Sequence, residues 1–163
     1  VFKSYRRRQL PPERHGSIPD VVASAATLIA MHLDATALLV PTRTGSTAVK
    51  MAGFRPRQPI VAISTHPSTV GRLTLSWGVK PILGNEVPSH ESMLHEAERV
   101  AVDAGLLERG DLVVITAGFP VGGPGSTNTV TVKSVGEDLD TGSWGLSGQA
   151  QLFTEPDEDG SRS

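Results

Sequence analysis

Six consecutive residues, Thr42-Arg43-Thr44-Gly45-Ser46-Thr47, place four hydroxyls, one guanidinium and a glycine directly ahead of a stretch with helical spacing. The first N–H groups of a helix lack intrahelical partners and carry the positive end of its dipole, so this composition suits an anion and supplies the parts of a phosphate cradle. The same hydroxyls also describe an ordinary capped helix start, because Thr and Ser are favoured caps with or without a ligand. A second candidate is the segment Gly118 to Thr127, in which Gly118, Gly122, Gly123, Gly125 and Ser126 would let backbone amides approach a ligand closely. No lysine follows its glycines as in a G-x-x-x-x-G-K-[ST] loop, and its place late in the chain does not fit the dinucleotide fingerprint. A plain surface loop fits that composition equally well.

Other chemistry finds less support. His90-Glu91 and His95-Glu96 miss the H-E-x-x-H spacing that sets two imidazoles on one helix face, so no metal site is expected there. His66 follows a strand-like run and is open to a turn role or a ligand contact; the spacing around His15 and His32 suggests no chemistry for either. There is no cysteine, which removes thiolate ligands, thiol nucleophiles and disulfides together. No serine sits in G-x-S-x-G and no carboxylate pair announces acid–base work, so no catalytic centre is expected in this chain.

The elements that would position these residues follow from apolar spacing. Ile18 to Leu33 repeats apolar side chains every three or four residues, with Pro19 in the first turn, and reads as an amphipathic helix. Unbroken apolar runs at Ala37–Val40 (ended by Pro41), Pro59–Ile63 and Leu112–Ile115, and the mainly apolar Val79–Leu83, which contains Lys80, read as strands buried on both faces. Helices are predicted between them at Gly45–Ala52, Ser68–Ser76 and Ser89–Ala104, with Gly53 and Gly105 placed where a helix end favours positive φ. Such alternation implies an α/β fold with a parallel sheet covered on both sides. The segment from Gly118 to Asn128 is predicted to be loop. Thr129–Val132 then reads as a last strand, antiparallel because no crossover helix precedes it.

At 163 residues the chain suits one domain. The expected division is a lead-in at 1–17, a domain at 18–135 and a tail at 136–163. A net charge of -2 with scattered basic residues argues against nucleic acid or an anionic membrane as partner, and no apolar run approaches the length of a bilayer span. Without the apolar core of a signal peptide at its start, a cytoplasmic address is expected. The opening at Val1, followed by a basic, proline-containing lead-in, reads as a piece cut from a longer protein.

Leu39 to Ala48 followed by Phe54 to Ala62 resembles, in order and spacing, the carboxy-terminal domain of pyruvate kinase. Leu75-Ser76-Trp77-Gly78-Val79-Lys80-Pro81-Ile82-Leu83, Gly110 to Gly118 and Gly125-Ser126-Thr127-Asn128 continue the likeness, which covers roughly Ile18 to Val135. It implies a three-layer α/β/α sandwich with a mixed five-stranded sheet of order 3-2-1-4-5, strand 5 antiparallel. Strands 1 and 4 then lie side by side and bring both candidate loops to one crevice. It further implies that a phosphorylated allosteric effector, a sugar phosphate or AMP, binds there. Thr42, Arg43, Thr44, Gly45 and Thr47 match the phosphate-holding loop, Ser46 stands where some relatives are basic, and Gly118 to Ser126 matches the loop that closes over the effector.

By the same resemblance the chain would be a regulatory domain contributing a tetramer interface to an enzyme of glycolysis that moves a phosphoryl group from phosphoenolpyruvate to ADP. The catalytic residues and the magnesium and potassium ions of that reaction belong to a preceding barrel and lid, to which no residue here corresponds. Its partners would be its own catalytic domain and copies of itself. Gly142 to Ala150 resembles the opening of a phosphoenolpyruvate-utilising-type segment, although no histidine follows His95 to be phosphorylated. Glu155 to Gly160 reads as an acidic end of disordered composition. Two other readings stay open: a purely structural oligomerisation domain, and a free-standing protein that binds a phosphorylated metabolite.

Overall fold

The computed structural model describes residues 16–118 and 127–137. Most of the lead-in, most of the glycine-rich segment and most of the tail, with the stretches at 142–150 and 155–160, lie outside the described residues. Along the chain run α1 (Ile18–His32), β1 (Ala37–Pro41), α2 (Ser46–Gly53), β2 (Ile60–Ser64), α3 (Pro67–Leu73), β3 (Val79–Leu83), α4 (His90–Asp103), β4 (Leu112–Gly118) and β5 (Thr127–Ser134).

The helix starts are written locally. The Asp20 carboxylate accepts from the N–H of Ser17 at 3.2 Å and from its hydroxyl at 2.6 Å, closing the first turn of α1 behind Pro19. Asp20 also pairs with Lys50 of α2. That hydrogen bond, then the one from Ser17, holds its carboxyl below the usual range. At α4 the Ser89 hydroxyl accepts from the Ser92 N–H at 3.1 Å, while the Ser92 hydroxyl accepts from the Ser89 N–H at the same distance.

The strands form one sheet of order β3-β2-β1-β4-β5, parallel from β3 to β4, with β5 antiparallel to β4, as expected. Side chains alternate between two cores. Leu38, Val40, Ile60 and Ala62 face Ala23, Ala26 and Ala30 of α1, Met51 of α2 and Leu73 of α3. Leu39, Val61, Val113 and Ile115 face Leu94, Ala97 and Ala101 of α4. In β1, β2 and β4, burial on both faces explains why the strands read as apolar runs rather than alternating ones; β3, expected to be buried on both faces, is an edge strand whose Lys80 and Leu83 are exposed. The alanine stripe of α1 lets that helix lie close to the sheet, since no bulky side chain holds it away.

Several boundaries differ from the sequence expectation. Helix α3 ends at Leu73 instead of Ser76, its last turn passing into a turn at Thr74 and Leu75. Gly53 does not take positive φ; the left-handed position after α2 is filled by Arg55, at φ 53°, whereas Gly105 does adopt φ 69°. Gly45 is the N-cap of α2 instead of its first residue. Gly118, Thr127 and Asn128 belong to strands and not to a loop, because hydrogen bonding between β4 and β5 continues to the pair Gly118 and Thr127. That pairing passes through an irregularity at Ala117 and Gly118, opposite which β5 carries one extra residue, Asn128.

Candidate functional site

Strands β1 and β4 are parallel neighbours, yet the chain leaves β1 toward β2 and reaches β4 only after β3. Their carboxyl ends therefore flank the point where the sheet's connections diverge, the usual place for a ligand in an open α/β sheet. The turn Thr42–Thr47 leaves β1 there, and Gly118 ends β4 beside it. Gly122, Gly123, Gly125 and Ser126 lie outside the described residues.

The turn is held by its own hydroxyls. Thr42 continues the β1 ladder, its N–H donating to the Ile63 carbonyl at 2.8 Å, and its Oγ1 accepts from the Gly45 N–H at 2.9 Å. Thr44 Oγ1 donates to Ser46 Oγ at 3.2 Å. Gly45 has φ 77°, and a Cβ there would stand 2.9 Å from Leu73 Cδ2, so both its backbone conformation and the packing of α3 require glycine. Its carbonyl accepts the first helical bond, from the Val49 N–H at 3.0 Å. Gly45, the N-cap, has no side chain to offer, and the start of α2 meets a hydroxyl only at the long distance of 3.5 Å, from the Ser46 N–H to Thr44 Oγ1. The first-turn N–H groups thus keep the polarity that favours an anion.

Helix α3 grips the same turn from behind. Thr69 Oγ1 donates to the Arg43 carbonyl at 2.9 Å and the Arg72 guanidinium donates to the Thr44 carbonyl. In a trans peptide the C=O and the following N–H point opposite ways. Turning these two carbonyls toward α3 therefore turns the N–H groups of Thr44 and Gly45 away from it. Arg43 is exposed, and Arg72 brings a second guanidinium to the turn. Thr47 differs from its neighbours: its hydroxyl is buried and lies 2.8 Å from Thr127 Oγ1 at the start of β5.

The sequence-selected residues Thr42, Arg43, Thr44, Gly45, Ser46 and Thr47 thus form one turn, with Gly118 on the neighbouring strand. Sequence reasoning missed Thr69 and Arg72, and it placed Thr127 at the end of the second candidate segment without naming it as a site residue. Thr69 and Arg72 are three apart on one helix, a spacing that puts both on one face and could have marked them; nothing in the sequence shows that Thr127 would meet Thr47. His66 is the exposed N-cap of α3, its Nδ1 2.9 Å from Thr65 Oγ1. Among the described residues, no cluster of three or more His, Cys, Asp or Glu side chains could hold a metal ion, and no helix is long and apolar enough to cross a membrane.

A second concavity, of about 370 Å³, opens between α4 and the far end of β5, lined by Arg99, Asp103, Arg109 and Gly136 among others. Beneath it Lys133 Nζ and Glu98 Oε1 form a buried ion pair at 2.7 Å, and Glu98 Oε2 accepts from the Gly136 N–H at 3.2 Å. Acidic and basic groups alternate around this opening, so it presents no field of one sign.

Residues 20–133 match the family described as the pyruvate kinase alpha/beta domain. The chain is 40% identical over 144 residues to pyruvate kinase 2 of Synechocystis, covering 86% of this chain and 24% of that protein. It is 37% identical over 139 residues to the pyruvate kinase of Sporosarcina psychrophila, covering 85% and 23% of the two. Against the pyruvate kinase of Geobacillus stearothermophilus it is 38% identical over 134 residues, covering 82% and 23%. The chain thus spans about a quarter of the length of these curated relatives. With the match across most of its sheet and helices, the chain belongs to the pyruvate kinase alpha/beta domain family.

Proposed function

We propose that the chain is the regulatory domain of a cytoplasmic pyruvate kinase and that the turn Thr42–Thr47 holds the phosphoryl group of an allosteric effector, a sugar phosphate or AMP. The carrying observation is the turn itself. It sits at the divergence point of the sheet, leads into a helix start whose N-cap is a glycine, and carries the exposed Arg43. In this reading phosphoryl transfer from phosphoenolpyruvate to ADP, with its magnesium and potassium ions, belongs to a catalytic part that corresponds to the remaining length of the relatives. The domain's role is to bind effector and to join copies of the protein, coupling the two by favouring one subunit arrangement. Exposed apolar side chains along α1, including Ile18, Val21, Leu28 and Met31, support the assembly role.

Isothermal titration of the folded chain with sugar phosphates and AMP tests the effector site. Saturable heat that disappears in Gly45→Ala supports it, and no heat with any of them rejects it. A second reading is favoured by one observation: the hydroxyls of Thr42 and Thr47 make contacts inside the protein, as a turn without a ligand would use them. The domain then serves assembly alone, and sedimentation would give an oligomer whose mass is indifferent to every phosphorylated compound.

A further inference from the structure

Alternation along β5 fixes which way each side chain faces. Val130 packs into the core on the α1 and α2 side, while Lys133 and Val135 face α4. Odd-numbered positions thus point to α4, and an uninterrupted strand would send Thr127 there as well. It does not go there: Thr127 meets Thr47 of α2 on the opposite face. The cause is the extra residue. Ala117 pairs with Thr129 and Gly118 pairs with Thr127, so Asn128 is inserted between consecutive rungs and the facing reverses across it. Thr129 Oγ1 fastens the irregularity by donating to the Ala117 carbonyl at 3.0 Å.

We infer that Thr127 is a positioning residue of the phosphate site, aimed at Thr47 by the Asn128 bulge and fixing which way the Thr47 hydroxyl donates; this rests on the phosphate-binding reading above. The chemistry is that of two buried hydroxyls 2.8 Å apart, one of which must donate to the other. When Thr127 donates, Thr47 keeps its own proton for an anion seated at the start of α2. The two O–H bonds then run head to tail and polarise each other. When the anion is absent the direction is unconstrained. An anion therefore orders a hydrogen-bond chain reaching into β5, the antiparallel edge strand.

The test is titration of the whole chain with inorganic phosphate, followed by amide NMR shifts at Ser46–Lys50 and Thr129–Val132 in the wild type, Thr127→Val and Thr127→Ser. The expected wild-type response appears in both groups of amides with one dissociation constant. Thr127→Val should weaken phosphate roughly three- to tenfold, the loss of one neutral hydrogen bond, and confine the response to α2. Thr127→Ser, which keeps the hydroxyl, should restore affinity to within about twofold together with the β5 response. Thr127→Ala substitutes if valine does not fold. Wild-type binding that Thr127→Val leaves unchanged overturns the assignment of Thr127 while the cradle stands. No phosphate response in the wild type overturns both.

Discussion

Substituting Lys133 by Met would remove one half of the ion pair on which α4 and β5 meet. Its side chain is 2% exposed and that of Glu98 8%, so neither charge exchanges its partner for bulk water. The structure gives Glu98 two contacts at its carboxylate, Lys133 Nζ at 2.7 Å and the Gly136 N–H at 3.2 Å. Losing the first leaves a buried negative charge with a single neutral donor. Breaking such a pair from one side costs about 3–5 kcal/mol, a large part of the roughly 5–15 kcal/mol that stabilises a domain of this size. The double substitution Glu98→Leu/Lys133→Met also leaves the Gly136 N–H without its acceptor, costing about 1–3 kcal/mol, but it removes both desolvated charges.

The double variant should therefore be more stable than Lys133→Met, although it carries the additional change. Urea unfolding followed by circular dichroism reads the difference. With m near ~1–3 kcal/mol/M, the single substitution should lower the midpoint by about 1 M or more. Two results would refute the reasoning. A loss below about 1 kcal/mol for Lys133→Met would mean that the pair is effectively solvated. A double variant as unstable as the sum of the singles would mean that the charges contribute independently, without the mutual compensation that burial imposes.

Gly45→Ala should cost at least about 1–2 kcal/mol from its left-handed backbone, before the contact with Leu73 is added, whereas Gly53→Ala, a helical site with open space around it, should be neutral or gain up to about 1 kcal/mol; thermal unfolding of both compares them directly. Glu96 is held below the usual carboxylate range chiefly by its hydrogen bond to Arg99, with further help from Asn85. The native state therefore takes up this proton only at lower pH than the unfolded chain. The resulting stability is complete above the unfolded value and is lost as pH falls through the folded one. Glu96→Gln should flatten that part of the acid limb, and an unchanged pH profile would count against the assignment. Arg55→Gly loses the guanidinium stacked 4.7 Å from the Trp77 ring, about 0.5–1 kcal/mol, but relieves a positive φ. Its net effect should stay within about 1 kcal/mol by Trp77 fluorescence in urea, and a loss beyond about 2 kcal/mol would contradict this balance.

What could be read in the sequence was what burial writes into consecutive residues. Strands covered on both faces must be apolar throughout, so Leu38–Val40 and Val113–Ile115 announced the parallel sheet, and helix starts marked by Pro19 or Ser89 were placed within a residue or two. The six-residue turn was legible for a similar reason, since its parts are contiguous. Features that depend on register were not. Glu98 and Lys133 look like any surface acid and base until two elements are docked, and Arg55 gives no sign that it will take the conformation glycine would occupy more cheaply. A bulge is harder still to see, because one inserted residue leaves composition unchanged while reversing every facing beyond it.

That reversal bears on how the turn would select a ligand. Thr42 spends its hydroxyl on Gly45, Thr44 reaches Ser46, and Thr47 is buried against Thr127, so these side chains set the shape of the turn first. Under the proposed reading, a phosphoryl group would be held mainly by first-turn N–H groups and by Arg43, while Arg72 braces the turn from behind through the Thr44 carbonyl; such partners recognise charge and tetrahedral oxygens irrespective of what the phosphoryl group is attached to. Discrimination between a sugar phosphate and a nucleotide must then come from elements outside this turn. Substitutions at Thr42 and Arg43 should consequently weaken different phosphorylated compounds by similar factors. A variant at either position that abolished one compound and spared another would show that the turn reads more than the phosphoryl group.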